Sequence, residues 1–216
     1  MRDHIRPGIH PNSPAVLWLV GLTCLPEALF TLLSADLIGQ GNLRNLALAY
    51  GAFWNGVLRE GWTTLYPFQR ELMFVTYAFL HGGFLHLIGN MIAVLALGGI
   101  VVARIGQQGF LLLYALTAIG GAAGFALLSG STSPMIGASG AVFGLIGAWK
   151  FWEWQVRRKM RADMGPLWRS LLGLAALNVL LWVLLSGLLA WEAHLGGFVT
   201  GVLFAAIVTP SLRYRI

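Results

Sequence analysis

The sequence predicts an all-α polytopic membrane protein, a bundle of six transmembrane helices with a long membrane-associated outer loop after the first. Three observations predict it. The 216 residues are 57% apolar and only 10% charged, with mean hydropathy +0.74, a balance that soluble domains do not show. Apolar runs recur at about twenty residues, the length a helix needs to cross a bilayer. The basic residues are confined to particular gaps between those runs, as topology signals are.

Taken in chain order, residues 1–14 form a short polar tail without the cleavable signature of a secretory signal, so the first apolar run is expected to remain as an anchor. The spans are expected at about 15–33, 84–103, 109–129, 139–156, 168–189 and 193–209. Residues 15–209 then make one membrane domain, and 210–216 a second short tail. Between the first two spans, LRNLALAYGAFWNGVL (43–58) is aromatic and apolar but broken by Gly51 and Gly56, and so reads as a segment lying at the interface. The FVTYAFL stretch that follows reads as a re-entrant approach ending at Gly82-Gly83.

Eleven of the fourteen Lys and Arg residues fall on one face of this arrangement, among them the Arg157–Arg161 run. Only Arg44, Arg59 and Arg70 fall on the other. The positive-inside rule therefore puts both termini in the cytoplasm and the 34–83 loop outside. A net charge of +6 with a pI near 10.1 is accounted for in this way, and nucleic acid is not an expected partner. Cys24 stands alone and forms no internal disulfide.

Ionisable and strongly polar side chains in a membrane are costly, so each is a functional candidate. The second span carries His86 and Asn90 four residues apart, with His81 just before the glycine pair. The fourth begins in GASGAVFG with Ser139, and the sixth in EAHLGGFVTG with His194. All of these groups fall at the outer ends of their helices. Gly140 and Gly144 make a small-xxx-small face beside Ser139, and Gly197 and Gly201 make another beside His194. If the two faces pack together, the hydroxyl and the imidazole come within hydrogen-bonding reach, which gives a nucleophile with an adjacent base.

No carboxylate is spaced to orient His194, since Glu192 points to another helical face. A serine–histidine dyad is the economical reading. Phe143, one turn after Ser139, can stack on the imidazole, although ordinary packing also explains it. His86, Asn90 and the Ser139 N–H are candidate oxyanion donors; an intramembrane His and Asn on one face can equally bond a neighbouring helix. No metal or cofactor is expected: His81 and His86 are five residues apart, do not face one another as i, i+4 ligands, and have no carboxylate beside them. Transport is disfavoured by the lack of an inverted repeat or a charged pathway.

HGGFLHLIGN (81–90), GASG (137–140) and AHLGGFVTG (193–201) resemble the HxxxxHxxxN, GxSG and AHxxGxxxG motifs of rhomboid intramembrane serine proteases. The resemblance covers about residues 15–209 in motif order and topology. It implies a serine endopeptidase with Ser139 as nucleophile, His194 as general base, His86 and Asn90 as oxyanion-stabilising groups and His81 as a structural residue. Gly137, Gly140, Gly197 and Gly201 belong to the same motifs. It also implies cleavage of single-pass membrane proteins near the outer end of their helices. Partners are then transmembrane protein substrates and the lipid bilayer, with at most a weak homo-oligomer. The expected location is a bacterial plasma (inner) membrane, with the active site opening to the outer side. The alternative is a catalytically silent rhomboid-like binder, which would have lost Ser139 or His194. Three positions depart from common family residues: Leu72 and Met73 stand where many members have a Trp-Arg pair, and Val102 where many have a glutamate.

Overall fold

Inside a bilayer every backbone polar group must be satisfied within the protein, and helices do this segment by segment. The computed structural model describes residues 13–34 and 43–208. Among them the named elements are all helical: α1 (Pro14–Ser34), α2 (Leu43–Gly51), α3 (Asn55–Arg59), α4 (Gln69–Thr76), α5 (Phe84–Leu128), α6 (Ser139–Met160), α7 (Gly165–Leu184) and α8 (Trp191–Ile207). A 3-10 turn, Tyr77–Phe79, joins α4 to the loop before α5. The tails expected at 1–14 and 210–216 lie outside the described residues, apart from Ser13 and Pro14.

By length and composition, Pro14–Leu32, Phe84–Leu128 and Gly165–Leu184 can each cross a bilayer, while Trp191–Ile207 is apolar but shorter. The 45-residue α5 contains the expected second and third spans. Its helical path breaks at Gly106, at φ 76° and ψ 174°, a conformation that side-chain-bearing residues avoid. Phe110 comes back beside Gly98, within 3.4 Å of where a Cβ on that glycine would stand. The expected loop between these spans is thus reduced to a sharp turn at one glycine. α6 runs on to Met160, beyond the expected 156, until Arg161 ends it in the left-handed region at φ 51°. α7 begins at Gly165 with a proline in its first turn and ends at Leu184, earlier at both ends than the run of apolar residues suggests.

α8 packs against both α5 and α6, and α5 and α6 pack against each other. Glycine makes these approaches possible. A Cβ on Gly197 would run into the Gly140 carbonyl oxygen, and one on Gly201 into that of Gly144. On α5, a Cβ on Gly124 would lie 2.8 Å from Gly196 Cα. Backbone-to-backbone contact of this kind is the main source of helix association where lipid is as apolar as any side chain. α7 meets the rest chiefly along α6, and Leu167 is its one buried residue.

The stretch from α2 to the 3-10 turn includes the segment expected at the interface, and the second half of that segment is tied to the bundle. Phe53, fully buried, forms a two-bond antiparallel bridge with Met135 (3.0 and 2.9 Å). Asn55 Nδ2 donates to the carbonyls of Ser129 and Ser131 (3.2 and 3.1 Å), and Tyr77 Oη donates to Ala118 (2.8 Å). Tyr77, Ala78 and Leu80 are buried, so the 74–80 stretch is anchored on the bundle at its second half. On the other flank, Arg44 donates to both oxygens of the buried Glu27 (3.2 and 2.7 Å) and to the His81 carbonyl (3.1 Å). This one guanidinium ties α1, α2 and the loop before α5 together. Met73 is fully buried; Leu72 faces outward and Val102 packs on the core.

Candidate active site

α5, α6 and α8 bring their N-terminal turns to one end of the bundle, and the polar residues picked out above sit in those turns. Ser139 is the first residue of α6. A helix start leaves its first N–H groups without intrahelical acceptors, so the serine stands beside free backbone donors. His194 lies in the first turn of α8, buried. Its Nε2 is 2.8 Å from Ser139 Oγ. The spacing follows from the glycines: Gly197 seated on the Gly140 carbonyl fixes how closely the two helix starts approach. Phe143 stacks on the His194 imidazole, with ring centroids 4.1 Å apart and planes 8° from parallel.

The α5 side reaches the nucleophile through residues 137 and 138. Gly137 (φ 116°) is in a conformation that disfavours any side chain, and a Cβ there would lie 2.7 Å from His86 Cε1. The His86 ring therefore rests directly on the backbone two residues before Ser139. Its Nδ1 accepts from the Gly82 N–H (3.4 Å), which leaves the ring proton on Nε2, one of the ring atoms nearest Gly137. Asn90 lies one turn further along α5, buried, with Nδ2 donating to the His86 carbonyl (2.9 Å). His81 is 2% exposed, and its Nε2 accepts from the Ala138 N–H (3.4 Å). Burial, reinforced by the neighbouring His86, holds the His81 imidazole down to about 4. It stays neutral and keeps the lone pair that this bond requires. The Gly137 N–H donates in turn to the Tyr77 carbonyl (3.0 Å).

The structure thus joins Ser139, His194, Phe143, Gly140 and Gly197 in one contact set, with Gly201 one turn deeper against Gly144. His86 and His81 flank it through Gly137 and Ala138, and Asn90 is engaged with its own helix. The sequence reading misses one member. Asn178, on α7, has its Oδ1 2.6 Å from His194 Nδ1, although no acid is spaced to orient that histidine. A strongly polar residue alone in the run LLGLAALNVLLWVLL is the signal that marks it. Among the described residues no group of three or more His, Cys, Asp or Glu is arranged to hold a metal ion.

A family model described as the Rhomboid domain matches residues 69–211. The chain belongs to the rhomboid family. It is therefore a helical polytopic membrane protein, of a family typified by intramembrane proteases. Among similar rhomboid proteins, RHOMBOID-like protein 5 of Arabidopsis thaliana is 30% identical over 151 residues, covering 65% of this chain and 45% of the relative. Rhomboid protein 1, mitochondrial, of Saccharomyces cerevisiae is 29% identical over 151 residues, covering 66% and 43%. The putative rhomboid protease YdcA of Bacillus subtilis is 30% identical over 137 residues, covering 63% and 57%. The chain spans about half the length of these curated relatives.

Proposed function

We propose that this rhomboid is an intramembrane serine endopeptidase that cleaves single-pass transmembrane proteins near the outer membrane face. The observation that carries the reading is the 2.8 Å contact between Ser139 Oγ and His194 Nε2, with the imidazole stacked on Phe143. Ser139 Oγ attacks the scissile carbonyl carbon while its proton passes to Nε2. The tetrahedral oxyanion is received by the Ser139 N–H and the His86 and Asn90 side chains. As the C–N bond breaks, the Nε2 proton goes to the leaving amine, and Ser139 is left acylated. Water, activated by the same imidazole, then attacks the ester, releases the new carboxyl end and restores the serine. His81 supports the 137–138 backbone.

The substrate helix must unwind locally, because a helical backbone hides its carbonyls in hydrogen bonds. Residues 15–209 act as one domain crossing the bilayer six times. Both termini are cytoplasmic, and the dyad opens to the outer side of a bacterial inner membrane. The positions of the basic residues support that orientation. Self-association is weak at most, and no cofactor takes part.

The test is cleavage of a transmembrane reporter by purified protein in liposomes, comparing wild type with Ser139→Ala and His194→Ala. Loss of cleavage in both variants, with Ser139 labelled by a fluorophosphonate in wild type alone, is the expected result. A folded wild type that neither cleaves several reporters nor takes the label overturns the reading in favour of a silent membrane-protein binder.

A further inference from the structure

The dyad chemistry uses only one nitrogen of His194. The other faces Asn178, Oδ1 to Nδ1, at 2.6 Å. Past Gly165 and Pro166, which open the helix, the α7 residues withdrawn from the surface are Leu167, Ser170, Leu171, Leu174 and Asn178. Steps of three and four residues put these on one stripe. Asn178 ends the stripe, because every residue from 179 to 188 is exposed. The single amide on α7 thus stands where its contact face terminates, against the imidazole.

We propose that Asn178 is a positioning residue for the base, an inference that rests on the dyad reading. An imidazole bonded at both nitrogens has two arrangements here. In one, Nδ1–H donates to the Asn178 amide oxygen, and the Nε2 lone pair faces the Ser139 hydroxyl. In the other, the amide NH2 donates to Nδ1, the ring proton sits on Nε2, and the serine has no base. Only the first can take the Ser139 proton. The amide oxygen selects it and also sets the ring rotation, together with the flat contact from Phe143. During acyl transfer the proton moves from Oγ to Nε2 and on to the leaving amine; Nδ1 keeps its proton throughout, and Asn178 neither gains nor loses one. A neutral amide does this without a buried charge to desolvate, so a site in a membrane can orient its base without an acid.

The test has two parts. Histidine-selective ¹⁵N spectra of the full-length protein in lipid, with the His194 signals assigned by difference against His194→Ala, read the tautomer directly. The expected result is a protonated Nδ1 and an unprotonated Nε2; a protonated Nε2 overturns the proposal whatever the variants do. Cleavage kinetics then compare Asn178→Leu, which keeps bulk and removes the acceptor, with Asn178→Asp, which restores an acceptor oxygen. Asn178→Leu is expected to lower kcat about 10- to 100-fold with KM unchanged, to slow fluorophosphonate labelling of Ser139, and to give a mixed His194 tautomer. Asn178→Asp is expected to recover most of the loss. A folded Asn178→Leu with wild-type kcat and tautomer overturns the positioning role and leaves the dyad intact. A wild type that neither cleaves nor labels overturns the dyad reading instead, and the tautomer still reports whether Asn178 holds the ring.

Discussion

The α5–α6–α8 trio and α7 both reach the candidate site, but they are held in opposite ways. In the trio, glycines let main chain touch main chain, and Gly197, Gly201 and Gly124 each lack room for a single added carbon. α7 buries only Leu167 and contributes one amide. The difference separates two tasks of a base-activated serine. In the proposed dyad, how far the nucleophile is from the base is set by contacts that cannot relax; which way the base is turned is set by the Phe143 stack and by one hydrogen bond from a helix with few other ties. Substitutions at the trio's interface glycines should therefore act almost all-or-none, and substitutions on α7 by degrees.

The largest effect comes from removing the proposed nucleophile itself. Ser139→Ala is expected to reduce cleavage by about 10⁴-fold or more with no change in thermal stability, as measured by reporter turnover and by unfolding in detergent. Next, Gly197→Val forces a side chain against the Gly140 carbonyl. Because backbone cannot rotate aside, a loss of about 3 kcal/mol or more is expected, seen as a bundle that unfolds at much lower temperature. A Gly197→Val protein of wild-type stability would show that the trio gives way and would remove the contrast with α7.

A smaller effect is expected where the connection between α1 and α5 is tied down. Arg44→Gln leaves the buried carboxylate of Glu27 without its charged partner. A cost of about 2 kcal/mol follows from the unmet polar group, and Glu27→Gln in the same protein should recover part of it. Phe143→Ala removes the ring that lies on His194. Since such aromatic pairs are worth about 0.5–1.5 kcal/mol, kcat should fall by roughly tenfold or less, with KM unmoved. The smallest effect belongs to the outer face of α7: Leu172→Ala, at an exposed position, should change stability by less than about 0.5 kcal/mol. A large loss there would mean that α7 is held by more than its narrow stripe.

Much of this contrast is legible in the sequence, and the limits have physical causes. Ser139 and His194 can be paired from the sequence because each is adjacent to a glycine face, and two such faces attract each other in lipid. Asn178 has no glycine face beside it; its isolation in an apolar run marks it as polar, but its meaning lies in a contact between α7 and α8 that helical spacing within one element cannot reveal. The 43–58 segment reads as interfacial from its glycine-broken aromatic composition, which does not show how its second half is tied to the bundle. That tie is the bridge from Phe53 to Met135, a partner far along the chain. The turn at Gly106 is hidden among other glycines, where only the backbone angle singles it out.

The serine and the histidine stand 55 residues apart in the chain, and α7 lies between them. α8, the last of the described helices, brings the imidazole. If the proposed dyad is right, a ribosome extruding this protein releases a nucleophile with no base until α8 has entered the membrane. On that reading the nascent chain is inert towards the other membrane proteins inserting beside it, and hydrolytic capacity switches on only when the bundle closes.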